Sequence, residues 1–129
     1  IVTSSATYLA ASVTKTDAAE WTDLDGLVAT LNVTAQPATI FVAASASFDR
    51  TNAGWNNHRL AIDVDGTPIA VNSHETASDE GIVYWHPIAV VGALRVTSTG
   101  NKVVKIKCAT WGATDIRHRS MTCFWVGTP

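Results

Sequence analysis

The residues around position 60 set the period. Leu60, Ile62 and Val64 alternate with Arg59, Ala61 and Asp63, which gives one apolar face and one that meets water. Asp65-Gly66 supplies the positive-φ positions of a tight reversal, and Ile69 and Val71 resume the apolar face beyond it, so the stretch reads as a β-hairpin. The same period of two recurs along the chain. Leu27, Ala29, Leu31 and Val33 share a face, as do Ile40, Val42, Ala44, Ala46 and Phe48. Val104, Ile106 and Cys108 alternate with lysines, and Met121, Cys123 and Trp125 form a last apolar series. In the second of these strands Phe41 makes the other face partly apolar too, which suits a strand that is central or touches a partner chain. Residues 82–91 are strongly apolar but contain Pro87, so a strand with a bend or bulge is expected there.

Between these runs lie breaks. Asp17 to Trp21 has a capping pattern without a continuing helical period and predicts a turn, with Trp21 and Leu24 pinning the connection to the body. Asp25-Gly26 is a second turn signal. Asp49 to Asn57 reads as a surface loop carrying Trp55, and Asn72 to Gly81 as the longest polar loop. Ile1 to Thr16 is rich in Ser, Thr and Ala, with few core residues, and suits an arm or an edge strand. About eight short strands without a convincing helix predict an all-β, single-domain jelly-roll β-sandwich, in which successive strands often change sheets. The expected division is an N-terminal arm over 1–20 and the jelly roll over 21–129.

At 129 residues and 47% hydrophobic, one domain can bury a sizeable core without a staple. A net charge of −2 and no polybasic run argue against a nucleic-acid partner. The longest apolar runs fall far short of the ~20 residues that cross a bilayer, so no membrane insertion is expected. Ile1 to Ser5 has neither the basic start nor the apolar centre of a signal peptide, which suggests a processed or excised form.

Candidate chemistry is sparse. His58, His74, His86 and His118 do not stand at metal-ligand spacing, and there is no Gly-x-Ser-x-Gly elbow. Asp23 with Asp25, Asp63 with Asp65, and Asp79 with Glu80 carry the oxygen ligands calcium prefers, but Asp65 is accounted for by the turn. The expectation is no catalytic site, no metal and no cofactor. Cys108 and Cys123 lie in the last two strands. If these strands pair or face one another the sulfurs could bond, worth about 3 kcal/mol in the chain-entropy model; otherwise both are small buried thiols. Asn32-Val33-Thr34 is a glycosylation acceptor pattern, with Asn32 on the outward alternation. Trp55 beside Asn56 and Asn57 offers an aromatic face with amide groups, which would suit a sugar ring.

The order of parts resembles a known family. Trp21-Thr22-Asp23-Leu24-Asp25-Gly26-Leu27-Val28, the small-residue strand Ile40 to Ala46, and Leu60 to Thr67 are similar to the compact jelly-roll heads of the tumour necrosis factor and C1q type. They look most like those on bacterial collagen-like proteins and phage fibres, and residues 100–107 and 119–126 follow the pattern of the last two strands of such heads. The sequence has no Gly-X-Y stalk. The resemblance implies a homotrimer with one sheet of each subunit facing a central axis, and Phe41, Tyr84 and Trp85 are the aromatic groups to place near that contact. It implies a non-enzymatic structural or adhesion module, a fibre head or decoration on a virion or other extracellular surface, with other surface proteins or glycans as further partners. A filament subunit that exchanges its N-terminal strand, and a carbohydrate-binding module, are the alternatives.

Overall fold

In a computed structural model, which describes residues 2–11, 13–15, 18–49, 54–78, 85–110 and 114–127, every regular element is a strand. In order these are β1 (Val2–Leu9), β2 (Val13–Lys15), β3 (Ala18–Val33), β4 (Ala38–Asp49), β5 (Gly54–Val64), β6 (Thr67–Ser78), β7 (Trp85–Val96), β8 (Gly100–Thr110) and β9 (Thr114–Gly127). They form two antiparallel sheets. One runs β1-β9-β4-β7, with β2 continuing alongside β9, and the other runs β3-β8-β5-β6. From β2 onward the chain changes sheet at nearly every connection, which is the jelly-roll arrangement of two stacked four-strand orders. The three-residue β2 is the one strand beyond the eight of that plan.

The alternation decides the layers. Leu31, Val33, Leu60, Ile62, Val104 and Ile106 from one sheet meet Ile40, Phe48, Ile116, Cys123 and Trp125 from the other, all fully enclosed. The hairpin at Asp65-Gly66 has positive φ at both residues, 50° and 84°, as a tight reversal between twisted strands requires. Its side chains complete it: Asp63 Oδ1 accepts from Gly66 N at 2.8 Å, and Asp65 Oδ1 accepts from Val103 N at 2.7 Å.

Four expectations need correction. The two turns expected before Leu27 are bulges within β3: four residues, 24–27, stand against the single Ile106 of β8, and three, 19–21, against Ala109. The chain leaves the ladder and rejoins the same partner, and Gly26, at φ 82°, makes the excursion possible. Trp55 to Asn57 do not lie in a loop, because β5 begins at Gly54. Asn72 to Ser78 are likewise strand, paired with β5 as far as Gly54↔Ser78. Finally, β7 runs past Pro87 in unbroken register with β4; β7 is a sheet edge with β4 as its ladder partner, so the missing N–H costs no bond.

Candidate functional site

The outer face of the five-stranded sheet is the most distinctive surface. Residues that point away from the core form rows across the strands. Phe41 stands opposite Phe124 and Ala93, Ala43 opposite Thr122 and Val91, and Ser45 opposite Ser120 and Ala89. The Phe41 and Phe124 rings stack at 5.2 Å, and the two serine hydroxyls lie 2.8 Å apart. Val91 is 74% exposed, Val126 45% and Phe41 39%, and Tyr8 extends the face onto β1. A shallow hollow of about 240 Å³ lies between Phe41, Phe124, Val91 and Gly92. Among the described residues no charged side chain belongs to these rows. Arg95 bounds them at one end, opposite Thr39, and Arg117 at the other, its guanidinium 3.7 Å above the Trp85 ring.

The outer face of the other sheet has the opposite character. Asp23 pairs with Lys105 and Lys107, and Arg59 lies 5.0 Å over Trp21, which lines a hollow together with Ala61, Asp63 and Lys107. Lys15 and Asp25 make a further pair at 2.6 Å, and this bond holds the Asp25 carboxyl below its ordinary value. Such exposed pairs are worth little individually, but they keep the face wet.

Of the groups singled out in the sequence, Phe41 lies in the uncharged rows and Trp85 about eight residues along the strands, at their Arg117 end, while Tyr84 lies outside the described residues. Asn57 is buried, and Trp55 and Asn56 sit on β5 rather than in the expected loop. Cys108 and Cys123 lie on facing sheets, both buried and not joined by a disulfide. Burial pushes the Cys108 thiol up despite the Thr22 hydroxyl 3.8 Å away. Asn32 is exposed on the edge strand β3. The Asp63 and Asp65 carboxylates are engaged by backbone N–H groups, and Asp79 and Glu80 lie outside the described residues. Among the described residues no three His, Cys, Asp or Glu side chains gather as a metal site, and no helix is long and apolar enough to cross a membrane.

One cluster is absent from the sequence reading. His58 on β5 and His86 on β7 meet across the core, with His58 Nδ1 2.7 Å from His86 Nε2. Phe48 stacks on His58 at 5.1 Å, and Thr114 Oγ1 lies 3.3 Å from His58 Nε2. A signal existed: His58 is in phase with Leu60, Ile62 and Val64, and His86 with Ile88 and Val90, so both belong to the inward alternation.

No family model matches the chain, and no curated protein matches it. A solved structure similar in fold is described as "Structure of infectious bursal disease virus Gx strain". It has 10% identity and a TM-score of 0.46, with 97% of this chain and 37% of that chain covered. The present chain thus spans little more than a third of that protein's length.

Proposed function

We propose that this chain is a non-enzymatic structural module that assembles with further copies of itself, as a trimeric head or decoration on a virion or extracellular fibre. The observation that carries the reading is the contrast between the two outer faces: one is ion-paired, while the other carries three adjacent rows, through Phe41, Ala43 and Ser45, that are uncharged and include a stacked aromatic pair. At a strand spacing of ~4.8 Å and ~3.3 Å per residue, these rows together with their arginine rims, from Trp85 to Arg95, cover roughly 600 Å² in projection, against the ~800 Å² per partner of a stable interface. Phe41 with Phe124, and Trp85, are the aromatic anchors, and the resemblance to tumour necrosis factor and C1q-type heads favours three copies around an axis. The test is mass by light scattering at micromolar concentration. The wild type is expected as a trimer and Val91→Lys, which places an ammonium in the centre of the face, as a monomer. A monomeric wild type rejects the reading.

A second reading rests on a separate observation. None of the described side chains of β1 and β2 is fully buried, and both strands lie against β9 as their ladder partner, so an arm that adds no fully buried side chain could be lent to a neighbour.

A further inference from the structure

We propose that His58 and His86 form a proton-sharing clasp between the two sheets that can hold one added proton but not two, which makes the sandwich acid-sensitive. The geometry is that of a hydrogen bond between imidazoles. The two nitrogens are 2.7 Å apart, the ring centroids 4.8 Å and the planes only 22° from parallel, so one ring donates its N–H to the lone pair of the other. The neutral pair satisfies this with either ring as donor. One extra proton also fits: His58 can carry both of its protons, donating Nδ1–H to His86 and Nε2–H to the Thr114 hydroxyl. A second proton would occupy the accepting lone pair. The N···N bond would be lost, leaving two cations side by side in a site where His58 is 0% and His86 9% exposed.

Charged and titratable groups stand on each of the surrounding strands. On β4, Phe48 stacks on both rings, and the next residue, Asp49, is buried as well and is the register partner of Trp85. On β5, Arg59 alternates outward over Trp21. On β6, His74 is the register partner of His58, with Glu75 next to it. On β8 the neighbour opposite His58 is Thr110, and on β9 Thr114 contacts the pair while Asp115 is bonded to Thr14 and Arg117 lies over Trp85.

The sign follows from proton counting. In the unfolded chain both imidazoles take up a proton near pH ~6.5, whereas the folded pair takes one. The unfolded state therefore binds more protons on the acid side, and stability is complete above about pH 7.5 and is lost as pH falls through about 6.5. An excess of one proton lowers the folding equilibrium constant by up to tenfold per pH unit. β7 carries His86 inside and Val91 and Ala93 outside, so a loosened clasp would also loosen the proposed assembly face. That consequence rests on the assembly reading, whereas the folding test does not.

The experiment compares urea unfolding between about pH 7.5 and about pH 5 for the chain with His118→Gln, which removes an exposed histidine 2.6 Å from the Tyr8 hydroxyl, and for the same chain with His86→Gln added. The glutamine oxygen can still accept from His58 Nδ1–H, but it cannot charge. The expected result is up to a tenfold loss per pH unit in the first protein and a slope shallower by one proton in the second; equal slopes overturn the proposal. Should His86→Gln fail to fold, nitrogen-detected NMR of the wild-type imidazoles at about pH 5 decides. A hydrogen-free nitrogen retained within the pair supports the clasp, and two fully protonated buried rings in a folded protein overturn it.

Discussion

Arg119 shows how much of this fold depends on single side chains. It is 4% exposed, and its guanidinium donates to the Ala11 carbonyl at 2.7 Å, the Ile116 carbonyl at 3.2 Å and, through Nε, the Asp25 carbonyl at 3.1 Å. Those three carbonyls belong to the segment between β1 and β2, to β9 and to the β3 bulge, so one side chain ties three parts of the chain together. Arg119→Leu should therefore lower unfolding free energy by about 2–4 kcal/mol in urea titration, because it leaves acceptors without donors as well as removing a buried contact. At Gly26 the constraint is conformational. With φ at 82°, Gly26→Ala should cost about 1–2 kcal/mol, and its Cβ would also press on the end of the Leu9 side chain. Acid response at this joint has a sign as well. Because the Lys15 bond lowers the Asp25 pKa, the pair contributes above about pH 3.9 and is lost as pH falls through the lower folded value. Lys15→Met should return the Asp25 carboxyl toward its ordinary titration in carbon-detected NMR, with a small effect on stability since the carboxylate is 58% exposed.

At the level of elements, what was legible in the sequence was what alternation encodes. The β5–β6 hairpin, β4, β8 and β9 follow from apolar residues two apart together with Asp65-Gly66. Where both alternations are polar, as in Asn72 to Ser78, the period carries no information, yet the strand persists because its backbone groups are paired with β5. Asp25-Gly26 marks a positive φ correctly, but a local signal does not say whether the chain reverses there or bulges and returns. The candidate assembly face was half visible: Phe41 announced a strand apolar on both sides, whereas its stack on Phe124 depends on β4 lying beside β9, which is a property of the topology. The His58–His86 contact was hidden for the same reason, being made between sheets by residues 28 apart in sequence. The arm is the element whose removal is most informative. Deleting residues 1–15 should expose the free ladder groups of β9 along its length, giving aggregation that a synthetic peptide of those residues suppresses when added in trans. Failure of the peptide to suppress it would mean that the ladder and the Arg119 bond to Ala11 together do not seat the arm in trans.

At the scale of the whole molecule the two faces predict how association should respond to solvent. An interface of Phe41, Ala43, Val91, Ala93, Thr122 and Phe124 contains no ion pair to screen, so its strength should change little between about 0.05 M and about 0.5 M salt. Any change should be a modest gain with salt, because Arg95 and Arg117 rim the face with the same sign. Association through the other face, where Lys105, Lys107 and Asp23 lie, would instead weaken as salt rises. Burial of apolar surface also gives association a negative heat-capacity change, so the uncharged face should release its partner more readily on cooling. Sedimentation velocity across salt and temperature separates the cases, and paired substitutions assign the face. Ala93→Lys should dissociate the assembly at every salt concentration, and Lys105→Glu should leave it intact. An assembly that survives Ala93→Lys and dissolves with salt would place the contact on the charged sheet and leave the aromatic face to a different partner.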